Sequence, residues 1–453
     1  MRKTILNLVF VLMVAARNSA FAAAPPSGDI ASAGAQFIDL LAKGDFAGAT
    51  ARFDDTMKTA LPEAKLRDTW QTLQQQAGSF KERVHARVEA QAGLQIALVT
   101  CKFERAVLDA KVVFDARRQV SGLWFVPSQA PTSSFKPPPY ARTNAFHEKD
   151  FTVGRDEWRL PGTLTLPSAA TNAVPAVVLV HGSGPNDRDE TIGANKPFRD
   201  LAWGLATRGI AVLRYEKRTK EHAAKLAAAD FSKFTIRQET IDDALSAAAQ
   251  LRRTDGVDPQ RIFILGHSLG GIAAPRIAQA DQDLAGLIIL AGCLARPLED
   301  IMVDQVRYLA SLDGEDSEAQ RAKIREIEAQ AAKVKKLTAA DAASAAPLLG
   351  GPPAYWLDLR EHNPLAAAKN VKQPLLILQG GRDYHTPEAD FQLWKQAFGS
   401  QPNVTFRLYP NLNHLFVPGE GKSTPAEYTQ PGHVAEVVVA DIADWILRTP
   451  SSR

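Results

Sequence analysis

The sequence predicts a doubly wound α/β domain with a mostly parallel eight-stranded sheet, preceded by a small α+β domain. Three observations carry this expectation. From about residue 145 onward, short apolar runs alternate with amphipathic helical patterns, as in a parallel sheet with helices on its faces. Two of those runs, AVVLV at 176–180 and IFIL at 262–265, are apolar at every position, as strands buried on both faces require. Between residues 84 and 126 the period is two instead, the pattern of an antiparallel sheet with one face packed. The 453 residues, 45% of them apolar, suffice for two cores.

In chain order, residues 1–24 read as a signal peptide. Arg2 and Lys3 form a basic start, 5–16 is an apolar stretch too short to span a bilayer comfortably, and Ala20, Ala22 and Ala24 offer small-residue cleavage sites. Export to a periplasm or the medium is expected, with no stable membrane insertion after cleavage. The formal charge of +3 includes Arg2, Lys3 and Arg17 of that removable segment, so the mature chain is near neutral and no basic surface for nucleic acid is expected. A first domain over 27–127 should carry helices at 33–41, 46–57 and 61–76, with Phe37, Ile38, Leu40 and Leu41 on one face. Strands follow at 84–88, 95–104, 106–114 and 119–126. Residues 128–144 are Pro-rich, ending in Pro137-Pro138-Pro139, and read as a semi-rigid linker.

The second domain, 145–450, opens with a hairpin at 148–153 and 158–166. Strand 176–180, helix 198–207, strand 210–215 and helix 240–251 lead to strand 262–265. Strands at 287–290, 375–378 and 404–409 and a helix at 434–447 complete the alternation. Residues 293–372 interrupt it. There Leu298, Ile301, Met302, Val306 and Leu309 form a helical apolar stripe, and Ile324, Ile327, Val334 and Leu337 a sparser one. This insertion is expected to be a helical cap, either simply packed or roofing a pocket with Tyr355 and Trp356 as candidate substrate-binding residues.

Strand 262–265 runs into Gly266-His267-Ser268-Leu269-Gly270-Gly271 and then a helix. A bare G-x-S-x-G arises by chance in roughly one chain in seven of this length. Flanked by a buried strand and a helix, it describes a nucleophile elbow, with the serine hydroxyl exposed on a strained turn. Such a serine needs a base and an acid from later loops. Asp383 follows strand 375–378 through Gln379-Gly380-Gly381-Arg382. His414 follows strand 404–409 through Pro410-Asn411-Leu412-Asn413. Of its rivals, His385 lies too near Asp383 in sequence and His433 opens the last helix. The N–H of Leu269 and one N–H after strand 176–180 would form the oxyanion hole, Ser183 supplying the second donor or Gly182 in its place. His181 braces that loop or merely packs. With no C-x-x-C or H-E-x-x-H spacing, neither a metal nor a cofactor is expected. Cys101 and Cys293 fall in different domains, so a disulfide between them is not favoured.

The stretch from His181 to Glu190, the run from Asn195 to Ala202, the elbow and Gly380-Gly381-Arg382-Asp383 together resemble exported bacterial α/β-hydrolase carboxylesterases. The family would carry Asp and Gly where Glu216 and Thr219 stand. The first domain resembles the nuclear-transport-factor-like or cystatin-like accessory domains that precede some exported hydrolases. Its role reads as structural or dimerising, which makes a homodimer one expectation, or as substrate docking. The resemblance implies hydrolysis of small or short-acyl esters through a Ser268–His414–Asp383 triad and an acyl-enzyme. The alternatives are a serine peptidase or acyltransferase of the same fold and a non-catalytic exported binding protein. A peptidase taking a free amine would need paired carboxylates, for which Glu299, Asp300 and Asp304 are the candidates.

Overall fold

The computed structural model describes residues 27–91, 94–104, 106–115, 117–128, 135–170, 172–228, 231–313, 317–342 and 346–451. The expected signal peptide at 1–24 and residues 129–134 of the expected linker lie outside the described residues. The chain divides into two compact units, one ending at Ser134 and the other starting at Phe135.

The first unit carries helices Ser27–Lys43, Phe46–Ala51, Asp55–Ala60 and Glu63–Ala77, then strands β1 (Phe80–Gln91), β2 (Leu94–Phe103), β3 (Val107–Phe114) and β4 (Val120–Pro127). The strands pair in chain order, all antiparallel. Alternate residues of β2 and β3, among them Ala97, Val99, Cys101, Ala110 and Val112, share a core with Phe37, Ile38, Trp70 and Leu73 of the helices. The single helix expected at 46–57 is two. Asp45 and Asp54 each accept an N–H three residues on, from Gly48 at 2.8 Å and Met57 at 2.7 Å, so each starts its own helix.

The second unit's strands are β5 (Phe146–Val153), β6 (Leu160–Pro167), β7 (Val174–Val180), β8 (Ala211–Tyr215), β9 (Val257–His267), β10 (Gly286–Leu290), β11 (Leu375–Gly380) and β12 (Val404–Tyr409). Their order across the sheet is β12-β11-β10-β9-β7-β8-β6-β5. β6 pairs antiparallel with both β5 and β8, and the remaining neighbours are parallel. The fold is thus a mostly parallel α/β sheet, preceded in the sequence by a smaller α+β unit. Because side chains alternate, Val178, Ile264 and Ile289 pack on one face with Ile272 and Ile277 of helix Leu269–Ala280. Val177, Phe263 and Ile288 pack on the other with helices Pro197–Ala206 and Glu436–Arg448. After β7 the chain crosses to β8 on one side, and after β9 to β10 on the other. A crevice therefore opens above the carboxyl ends of β7 and β9, the place where open α/β sheets bind ligands.

Between β10 and β11 lie helices Leu298–Asp313, Glu318–Lys336, Pro353–Glu361 and Pro364–Ala368. Val334, Leu337 and Trp356 form a small core of their own there, packed on by Leu298, Met302 and Leu348. Arg360 closes the end of the second of these helices by donating to the carbonyls of Val334 (2.5 Å) and Leu337 (2.9 Å). No helix among the described residues is long and apolar enough to cross a membrane.

Candidate active site

Ser268 stands between β9 and helix Leu269–Ala280 with φ 50° and ψ −115°. A non-glycine residue at positive φ is costly, and such strain is kept where the neighbours over-determine it. Here they do. A Cβ on Gly266 would strike the Gly270 carbonyl, and one on Gly270 would strike the carbonyl of Val180 at the end of β7. Strand and helix therefore close on each other as only glycines permit, and the serine takes the bend. Its side chain does not cap the helix that follows it. Among the described residues the Ser268 hydroxyl has no hydrogen-bond partner, His414 included. Such contacts are often long without substrate and tighten in the reacting complex.

Asp383 and His414 are together: His414 Nδ1 lies 2.7 Å from Asp383 Oδ2. The other Asp383 oxygen accepts the N–H groups of His385 (2.7 Å) and Thr386 (3.0 Å). Burial alone would raise this carboxyl's pKa, but His414 and these donors hold it below the usual value. Asp383 therefore stays ionised. The ring beside Ser268 in sequence touches the same histidine: His267 Nε2 is 3.1 Å from the His414 carbonyl oxygen, and the two ring centroids are 4.7 Å apart. His385 stacks on the other side of His414 at 4.5 Å. Burial, with His414 next to it, pushes the His385 pKa down to about 3, so it stands neutral beside His414. His433 is occupied with Asp200 at 3.0 Å.

The loop after β7 is held by a network the sequence did not reveal. Gly182 N–H donates to Glu190 Oε1 at 2.6 Å, which leaves it no proton for an oxyanion. Glu190 is buried at φ 50°, and its other oxygen lies 2.8 Å from His267 Nδ1, a close charge contact rather than an aligned hydrogen bond. Burial opposes charge on His267, but Glu190 outweighs it and raises the imidazole pKa; Glu190 itself is lowered against its own burial, chiefly by His267. The Gly182 carbonyl accepts from Lys217 Nζ at 2.7 Å and Asn186 Nδ2 at 3.1 Å. Among the described residues, the N–H groups of Ser183 and Leu269 have no partner. Of the two N–H groups considered for this loop, that of Gly182 is taken and that of Ser183 is not. His181 Nε2 meets the Asp187 carbonyl at 3.1 Å, its ring packs between Phe198 and Tyr215, and burial brings its pKa down to about 4.

The remaining residues of the charged run also work locally. Asp187 accepts from Thr191 N–H (2.8 Å) and its hydroxyl (2.7 Å), Arg188 pairs with Glu216 at 2.8 Å, and Asp189 gathers Lys196, Arg199 and Arg214. Glu216, unexpected in that place, therefore serves as the anchor of Arg188.

The two expected pocket residues are placed otherwise. Trp356 is 3% exposed within the cap's small core, and its indole N–H donates to the Leu348 carbonyl at 2.7 Å. That is a packing position, not a pocket wall. Tyr355 sends its hydroxyl to Glu239 Oε2 at 2.8 Å. The cap reaches the surroundings of Asp383 through its first helix instead: Gln305 donates to the His385 carbonyl at 2.8 Å, and Tyr308 stacks on Tyr384 at 4.8 Å. Of the three candidate cap carboxylates, Asp300 pairs with Lys335 (2.5 Å) and Asp304 with Arg296 (2.8 Å), so these residues do not form a free pair for an amine. Asp383, His385 and His414 offer atoms within 4.8 Å of one another that could hold a metal, but Asp383 Oδ2 and His414 Nδ1 are already joined.

Residues 177–430 match the family described as Alpha/beta hydrolase family, and residues 34–123 match a family of unknown function, DUF3887. The chain is 38% identical over 412 residues to Esterase EstD of Thermotoga maritima, an alignment covering 91% of this chain and 94% of that protein. Among solved structures, Est1E from Butyrivibrio proteoclasticus is 15% identical with a TM-score of 0.43, covering 66% of this chain and 98% of its own. An acylaminoacyl peptidase from Pyrococcus horikoshii is 15% identical with a TM-score of 0.46, covering 83% of this chain and 57% of its own.

Proposed function

The chain belongs to the alpha/beta hydrolase family and is an esterase, and from that premise we propose that it cleaves small or short-acyl carboxylic esters through Ser268, His414 and Asp383 by way of an acyl-enzyme. The observation that carries the reading is the 2.7 Å His414–Asp383 contact, together with a serine on a strained elbow whose neighbour His267 touches His414. With Nδ1 occupied by Asp383, His414 has Nε2 free to take the Ser268 proton as the hydroxyl attacks the ester carbonyl. Asp383 holds the tautomer and steadies the cationic ring. The N–H groups of Leu269 and Ser183 receive the negative charge as it develops on the carbonyl oxygen, each worth about 3 kcal/mol. The alcohol leaves with the proton from His414, and a water deprotonated by the same ring releases the acid. The reading extends to an exported enzyme whose first domain is an accessory; the mature N-terminus of protein recovered from its own cells tests that part.

The test is direct. An organophosphonate should label Ser268, and S268A should lose about 10⁴-fold or more in kcat on 4-nitrophenyl esters, as should D383N and H414Q. A chain-length series of those esters, set beside aminoacyl anilides, then gives the substrate class. Turnover unchanged in S268A, or activity confined to the anilides, ends the proposal.

A further inference from the structure

The Gly182–Ser183 peptide is gripped from inside the protein by a lysine. Lys217 is 2% exposed, and its Nζ lies 2.7 Å from the Gly182 carbonyl oxygen and 2.6 Å from Glu239 Oε1. Glu239 Oε2 accepts the Tyr355 hydroxyl at 2.8 Å, and Tyr355 belongs to cap helix Pro353–Glu361. A buried ammonium is expensive to desolvate, and a carboxylate partner alone would satisfy its charge. Here it also meets one backbone carbonyl, that of the oxyanion loop. Glu239 in turn sits in a π-helical turn, Arg237–Ile241, a rare conformation that recurs at functional sites.

The peptide group explains what the lysine gains. A trans peptide is planar, with its C=O and the following N–H pointing in opposite directions. Drawing the Gly182 oxygen toward Lys217 turns the Ser183 N–H the other way, and that N–H has no protein partner among the described residues. The loop lies against the nucleophile: a Cβ on Gly182 would come within 3.1 Å of the Ser268 Cβ.

We propose that Lys217 is a positioning residue for the oxyanion hole, fixing the Ser183 N–H through the Gly182 carbonyl, and that Glu239 and Tyr355 tie this setting to the cap. Tyr355 then acts on the reaction through the loop rather than by lining a pocket. The proposal rests on Ser268 being the nucleophile and Ser183 an oxyanion donor. It adds that donor strength depends on a side chain that touches no reacting atom and on the seating of the cap.

The test compares wild type, K217M, K217R, E239Q and Y355F. Phosphonate labelling of Ser268 counts competent sites in each, and rates on a short 4-nitrophenyl ester are expressed per labelled site. K217M should lose about 10²-fold in kcat with KM within about threefold, the size of one lost oxyanion donor. Its affinity for a trifluoromethyl ketone, whose adduct carries the oxyanion, should fall in parallel. K217R should recover part of both. Y355F, which leaves the lysine in place, should show a smaller loss of the same kind, about three- to tenfold in kcat. The proposal is overturned if K217M keeps kcat and ketone affinity per labelled site, or if the losses fall on KM. Should K217M not fold, K217R and Y355F decide: unaltered kcat and ketone affinity in both overturns it. Absence of labelling at Ser268 in wild type instead overturns the underlying reading.

Discussion

Glu190 holds the Gly182 N–H with one oxygen and faces the buried His267 with the other, from a backbone at positive φ. Its charge therefore governs both the loop and the ring that touches His414. The two titrations have opposite signs. His267 has its folded pKa raised, so its contribution to stability is complete below its ordinary 6.5 and is lost as pH rises through the folded value. Glu190 has its folded pKa lowered, so its contribution is complete above its ordinary 4.5 and is lost as pH falls through the folded value. The pair stabilises most between about pH 4.5 and 6.5. E190Q keeps the Gly182 contact and removes the charge; it should cost about 3 kcal/mol in that window and less above it. Urea titrations of both proteins across pH 4–9 measure this, and a pH-independent difference would mean that His267 is neutral. Ser268, Asp383 and His414 could be singled out as candidates because each lies within a few residues of the end of a strand legible in the sequence, and the structure brings Asp383 and His414 together. Glu190, Lys217 and Glu239 could not. Lys217 lies 35 residues from the carbonyl it binds and Tyr355 116 residues from its carboxylate, and no local pattern encodes such a meeting.

Elements whose burial is written into consecutive residues were legible, and those set by tertiary contact were not. Each residue from Ala176 to Val180 is fully buried, as its unbroken apolar run requires. The π-helical turn before helix Asp242–Leu251 has no such signature, and it carries Glu239, whose partners Lys217 and Tyr355 are distant in sequence. Trp356 was misjudged for a related reason: an aromatic in a cap serves a pocket or a core equally well by type, and the packing of Val334 and Leu337 decides for the core. At the elbow the constraint is steric and local. G270A sets a methyl against the Val180 carbonyl, a backbone atom that cannot swing aside. Overpacking of this kind costs about 1–3 kcal/mol. The strand and helix must part, so phosphonate-labelled sites should fall together with the urea midpoint. An unchanged midpoint with full labelling would show that the elbow is not closed as described.

At the scale of the molecule, two separate cores each contain one cysteine. Cys101 lies in the core of the first unit and Cys293 in that of the second, both unpaired and fully buried. Burial pushes the Cys101 thiol up to about 12 and raises that of Cys293 as well, so neither forms the reactive thiolate near neutral pH. The folded protein should therefore give no rapid reaction with a thiol reagent at pH 7.5, and the denatured protein should give two equivalents. Because each thiol is sealed by its own core, it reports the opening of its own unit. In variants C101A and C293A the surviving thiol should become reactive at the denaturant concentration where that unit unfolds. The two profiles separate if the units open independently, and coincide if they unfold as one. Rapid labelling of either thiol in the native protein would contradict the burial, and a disulfide between them would contradict their assignment to separate cores.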